Sequence, residues 1–165
     1  YERREVFGVS AETAFGPFAI RAEIGSQPGR SFNTRTPSAL QAEKLDQVTA
    51  GIGLDIDGPA QTFINLQYVR DAIRNAPASL VRPEEDRIVT VFLRRAFSYD
   101  TFSISARWYR SYDIGDEMYR VELQMSPRDN TQLKLAFDAF NGDSTGIFGQ
   151  FADKDRLTLG FEHSF

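Results

Sequence analysis

Phe7-Gly8-Val9-Ser10-Ala11-Glu12-Thr13-Ala14-Phe15, then Gly16-Pro17, then Phe18-Ala19-Ile20-Arg21-Ala22-Glu23-Ile24-Gly25, is the stretch from which the fold is read. Its period is two, not 3.6. Phe7, Val9, Ala11, Thr13 and Phe15 share one face; Gly8, Ser10, Glu12 and Ala14 share the other. After the Gly-Pro break, Phe18, Ile20, Ala22 and Ile24 oppose Ala19, Arg21, Glu23 and Gly25. Two alternating runs around a tight turn predict a β-hairpin.

The same pattern recurs to the end of the chain. Val48–Ile56 turns at Asp57-Gly58-Pro59-Ala60 into Thr62–Tyr68. The run from Arg87 to about Phe97 turns at Ser98-Tyr99-Asp100 into Phe102–Tyr109. Tyr119–Ser126 turns at Pro127-Arg128-Asp129-Asn130 into Gln132–Ala139, and a last run occupies about 156–165. About nine strands of roughly 9–11 residues result, the length a tilted membrane strand needs. A single helical turn inside Ser38–Asp46 is the one departure considered. The turns near Gly16, Gly58, Asp100 and Asp129 are short. The links over 26–46, 70–86, 110–117 and 141–155 are longer. Short turns on one side and long loops on the other are the habit of outer-membrane barrels. The expected fold is all-β: an antiparallel, up-and-down transmembrane β-barrel, with residues 1–165 forming one segment of it.

Composition narrows the function classes. The 165 residues are 41% hydrophobic, with mean hydropathy -0.38. No run approaches the roughly 18 apolar residues of a membrane helix, and barrel strands give only a weak hydropathy signal. Net charge is -4, which argues against nucleic acid as a partner. Cysteine is absent and His163 is the single histidine. Thiolate zinc sites, disulfides, histidine metal clusters and Ser-His triads are therefore excluded within the chain. No cofactor, metal or catalytic set is expected.

Counting strands backwards gives a further expectation. If Phe165 ends in the periplasm, nine strands place residue 1 outside. Single-chain bacterial barrels have even strand numbers, so strands N-terminal to Tyr1 are expected to complete the barrel. Tyr1 follows neither an initiator Met nor a leader, consistent with processing or truncation.

The chain closes on Thr158-Leu159-Gly160-Phe161-Glu162-His163-Ser164-Phe165. This resembles the signal that outer-membrane barrels present to their insertion machinery: Thr158, Gly160 and Phe165 fit it, and His163 stands where Tyr or a similar aromatic is usual. Together with Gly146–Arg156, and more weakly with Gly16–Glu23 and Arg95–Phe102, the ending resembles a family of Gram-negative outer-membrane proteins. That family is catalogued as a domain of unknown function, often encoded near export or lipid-handling genes. The resemblance implies a large barrel, a channel or a route for hydrophobic molecules. It implies outer-membrane lipid and the insertion machinery as partners, and carries no catalytic residues.

With the apolar face toward lipid, the lumen would be lined by Arg21, Glu23, Asp55, Asn65, Gln67, Arg94, Arg107, Arg120, Glu122, Lys134, Asp138 and Glu162. Both charge signs suit a hydrated channel, or a plugged lumen held by ion pairs. Structural pairing alone is the plainer reading of any one of these residues. Glu12 and Glu23 could form a carboxylate pair, and Asp143, Asp153 and Asp155 could hold calcium, though a solvated acidic loop explains the latter as well. Phe148 and Phe151 are expected either in the lumen or as a surface knob. Aromatics near strand ends (Phe7, Phe15, Phe18, Tyr68, Phe97, Tyr99, Phe102, Trp108, Tyr119, Phe137) fit interfacial girdles. Two alternatives to a passage remain: a membrane-embedded enzyme with its catalytic residues elsewhere, and a soluble periplasmic ligand-binding barrel.

Overall fold

The computed structural model describes residues 5–98, 101–144 and 146–164. Nine strands follow in order: β1 (Phe7–Phe15), β2 (Phe18–Arg35), β3 (Leu40–Gly58), β4 (Thr62–Arg74), β5 (Glu85–Phe97), β6 (Phe102–Ser111), β7 (Asp116–Arg128), β8 (Thr131–Gly142) and β9 (Arg156–His163). Each pairs antiparallel with its sequence neighbours in one sheet. Among the described residues no pairing joins β9 to β1, so the sheet has two open edges. The expected up-and-down antiparallel architecture is present, open rather than closed.

Local chemistry explains the joints. Phe15 pairs with Phe18, leaving Gly16-Pro17 as a two-residue turn. Gly16 has φ +56, a sign that suits glycine, and Pro17 supplies the negative φ that follows in a type II′ turn. The β3–β4 turn places Ala60 and Gln61 at positive φ without glycine.

The two faces differ sharply. Outward-facing Ile24, Ile52, Leu66, Leu93, Ile104, Val121, Leu135 and Phe137 are exposed. The opposite face holds buried Ala136, Ser103, Ser111, Asp116 and Asp138. Side chains crowd one another on the concave face of a curved sheet, so the polar face is the concave one. A water-soluble core would have the reverse distribution. Leu159, on β9, is 80% exposed, which water would disfavour and hydrocarbon would accept.

Aromatic residues frame this apolar band. Near the short turns, Phe15 lies 5.6 Å from Phe18 and Phe97 5.9 Å from Phe102. Outward-facing Arg95 lies over the Phe97 ring at 5.0 Å, its charge at the level of the turn, as a snorkelling cation would be. Toward the long loops, Trp108 Nε1 and Tyr119 Oη donate to Glu117 at 2.8 and 2.7 Å. Trp108 lies six residues from Phe102, about 20 Å along the strand. Tyr99 lies outside the described residues.

Three expectations are corrected. The link over 26–46 is not a loop: β2 and β3 run on as a hairpin of 18 and 19 residues, closed by a turn at 36–39 in which Thr36 N donates to Ala39 O at 2.9 Å. No helical turn forms between 38 and 46, because from Leu40 onward the backbone is paired with β2. At roughly 3.4 Å per residue each arm reaches about 60 Å, well beyond what a bilayer core requires. The link expected over 110–117 shrinks to four residues, 112–115, since strand pairing extends from Tyr109 to Ser111 and back from Tyr119 to Asp116.

A bulge at Pro28-Gly29 shifts the β2–β3 register between Gln27 and Arg30, with Gly29 at φ +63. One extra residue reverses the faces. Below the bulge odd-numbered residues of β2 face inward; above it Arg30, Phe32 and Thr34 do. Phe32 therefore meets Leu45 and Ile73 in a small buried apolar cluster, covered by Ala76 and Leu80 of the 75–84 loop. That loop also bonds the edge of β2 beyond the end of β1, through Arg35 N to Ser79 O at 2.7 Å and Val81 N to Asn33 O at 3.0 Å.

Candidate functional site

Strand register, not proximity in sequence, assembles the concave face. One transverse row reads Asp55, Asn65, Phe92, Arg107, Arg120, Asp138, Arg156, each residue the direct partner of the next. All twelve residues expected to line a lumen share this face.

Most of them are paired. Arg21 donates from Nε to Glu12 at 3.1 Å and lies 3.7 Å from Asp55. Asn65 donates to Asp55. Gln67 Oε1 accepts from Thr90 Oγ1 at 3.4 Å. Glu23, Arg21 and Gln67 line a recess over Gly51 and Gly53, where the absent side chains leave room. Arg120 reaches Glu122 at 2.7 Å and Asp138 at 2.9 Å; Arg156, on β9, reaches Asp138 at 2.9 Å. Asp138 is 3% exposed, so its charge is held between two guanidinium groups. Lys134 and Glu162 are 3.9 Å apart. Arg94, Arg107, Arg120 and Glu122 border a second recess of about 380 Å³. Glu12 is engaged by Arg21 rather than by Glu23, and Glu23 pairs across the strands with Ser10. The proposed carboxylate pair does not form.

The long-loop end is narrowed from two sides. Over β2–β4, Asp71 accepts hydrogen bonds from Gln47, from Thr49 at 2.8 Å and from Arg82 at 2.9 Å, and Arg30 donates to Gln47. These bonds fix the 75–84 loop above the Phe32 cluster. Over β6–β8, the 143–155 loop turns inward. Buried Asp116 accepts from the backbone N–H of Phe148, at 2.9 Å, and of Gly149. Phe148 stands 5.1 Å edge-on to Tyr109 and 6.0 Å from Phe140, both on the concave face. Phe148 is thus a wall residue, while Phe151 touches Phe140 at 6.0 Å and stays 42% exposed. A Cβ at Gly146 would lie 2.5 Å from Asp116 Oδ1, and one at Gly149 2.0 Å from Asp143 O. Both glycines are needed for the loop to approach so closely.

Among the described residues no group of three potential metal ligands assembles, so Asp143, Asp153 and Asp155 do not form a calcium cage. Asp155 instead accepts from Phe140 N at 3.3 Å. Thr158 and Gly160 lie inward opposite Ala136 and Lys134. His163 faces outward beside Phe161, with ring centroids 6.4 Å apart, and Nδ1 is 3.0 Å from Thr131 Oγ1. Phe165 lies outside the described residues.

Reading by period missed Asp86, Asp116, Arg156 and Phe140 as lining residues; it set Phe92 and Tyr109 on the polar face without counting them as lining. Extending two of the alternating runs by one and three residues would have placed Asp86 and Asp116 inward, and Arg156 falls inward at the start of the last run. Phe92 and Tyr109 were left off the lining because an aromatic on a polar face breaks the binary pattern, and Phe140 lies one residue beyond the run that ends at Ala139.

No family model matches the chain, and no curated protein matches its sequence. Among solved structures it is similar to in-vitro-folded OmpT, an outer-membrane protein of Vibrio cholerae in trimer form, with a TM-score of 0.58 at 12% identity. The match covers 98% of this chain and 56% of that one. The likeness is one of fold: that of an outer-membrane β-barrel.

Proposed function

We propose that the chain forms part of the wall of a passage for small hydrated solutes in a bacterial outer membrane. The observation that carries this reading is the inversion of the sheet: exposed leucine, isoleucine and valine outside, ion pairs and buried carboxylates inside. Such a wall suits hydrated solutes better than the hydrophobic molecules also considered from sequence. The inward-turned 75–84 and 143–155 loops set the width of its mouth. Further strands preceding this segment close the barrel, since the chain spans 56% of the barrel it resembles and open edges are costly in lipid. Outer-membrane lipid and the insertion machinery, read through Thr158, Gly160, His163 and Phe165, are its partners, and the family of unknown function is its assignment. No catalytic role is assigned.

The test is conductance of the full-length protein in a planar bilayer, after heat-modifiable gel mobility has shown it folded. Discrete ohmic steps support the reading. A folded, lipid-inserted protein without conductance contradicts it and points to a plugged or enzymatic barrel.

A further inference from the structure

Arg107 stands without a carboxylate on a wall where most charges are paired. Its direct cross-strand partner is Arg120, an arrangement of like charges that disfavours the pair. Arg120 is balanced by Glu122 and Asp138, and Asp138 is already shared with Arg156. Among the described residues Arg107 makes no ion pair and no hydrogen bond; its one contact of note is the Phe92 ring, 5.4 Å from the guanidinium carbon. A ring beneath a guanidinium holds the cation in place and leaves its donors unused. The same recess of about 380 Å³ receives Ser103, Ser105 and Gln124. Their hydroxyl and amide groups also make no hydrogen bond among the described residues.

We propose that this recess is a binding site for a small oxyanion solute, carboxylate or phosphate. Arg107 supplies the charge and fork of donors, and Ser103, Ser105 and Gln124 supply neutral donors. The chemistry follows from the inventory: an uncompensated guanidinium, two hydroxyls and an amide around one recess match an anion with several acceptor oxygens. Glu122, the direct cross-strand partner of Ser105, also lines the recess, and Arg120 engages it at 2.7 Å, which offsets its negative charge. The proposal rests on the reading of this face as a solute passage, and names the solute class.

The experiment is calorimetric titration of the detergent-folded, full-length protein with inorganic phosphate and, separately, sodium acetate, each against chloride at matched ionic strength. Arg107→Gln, Arg107→Lys and, as an off-site control, Arg128→Gln are compared with wild type. Wild type and Arg128→Gln are expected to bind at least one of the two anions. Arg107→Gln should weaken that binding at least tenfold, and Arg107→Lys should recover part of it. Arg107→Gln should also unfold at an equal or higher urea concentration than wild type, because it relieves the opposition to Arg120. A lower unfolding midpoint would mark Arg107 as a structural cation and overturn the proposal. So would wild-type binding of neither anion, or binding undiminished in Arg107→Gln. A protein that conducts but binds neither anion sinks this inference alone; one that binds through Arg107 yet does not conduct sinks the passage reading alone.

Discussion

Leu135→Arg isolates the physical claim that the convex face meets hydrocarbon. Leu135 is the middle of the outward row on β8, between Leu123 on β7 and Leu159 on β9, and is 38% exposed. An arginine at the midplane of a barrel's lipid face costs about 2–4 kcal/mol, falling to about 0–1 near the interface. Met125, also outward, lies beside the aromatic band at Phe102. Met125→Arg should therefore cost less than Leu135→Arg by about 2 kcal/mol. Gln132→Arg, on the inward face of the same strand as Leu135 and opposite Glu162, should be near neutral. With urea m-values of about 1–3 kcal/mol/M, the Leu135→Arg midpoint in lipid vesicles should fall by about 1–2 M. The assay is urea unfolding of the full-length protein in vesicles, read by heat-modifiable mobility. Equal costs for Leu135→Arg and Met125→Arg would refute the reasoning, because a water-excluded protein core has no dependence on depth in a bilayer.

Three further outcomes follow from the same geometry. Asp116→Ala removes the acceptor for two backbone donors of the 143–155 loop and should cost about 1–3 kcal/mol; limited proteolysis should then cut between 143 and 155 in folded protein. Asp138→Ala strips the shared carboxylate from Arg120 and Arg156 and should destabilise by about 1–3 kcal/mol, measured by the same urea titration. Asp113, in the 112–115 turn, is held below the usual carboxylate range, chiefly by the hydrogen bond from the Arg87 side chain. A lowered folded value stabilises above the unfolded value, about 3.9, and that contribution is lost as pH falls through the folded value. Exchange protection of the Arg87 and Tyr112 amides, which bond to Asp113 and to Arg87 O respectively, should drop below about pH 4 in wild type, and Asp113→Asn should show no such step.

The period-two runs made the strand order legible, because a half-buried strand writes its two faces directly into alternate residues. Gly16-Pro17 and Gly58-Pro59 marked short turns for the same local reason. The extension of β2 and β3 was hidden by the Pro28-Gly29 bulge, which reverses the parity of the sequence at the point where the strand leaves the apolar band. Parity was enough to group Arg21, Asp55, Arg107, Arg120 and Asp138 on one face. It could not show that Asp138 is shared while Arg107 goes without a carboxylate, since cross-strand register is set by turns and bulges far from either residue. The docking of Phe148 against Tyr109 was equally out of reach, because it depends on a carboxylate, Asp116, contributed by another hairpin.

The chain lacks cysteine, so single labelling sites can be introduced within it cleanly, and this permits the most direct test of the central claim. Leu135→Cys and Gln132→Cys, each carrying a nitroxide in the vesicle-folded protein, would be compared for relaxation by oxygen dissolved in the bilayer and by a polar nickel chelate. The account predicts that the Leu135→Cys label is relaxed by oxygen and shielded from nickel, and that the Gln132→Cys label shows the opposite. A Leu135→Cys label reached by the nickel chelate, or shielded from both reagents, would contradict a lipid-facing surface.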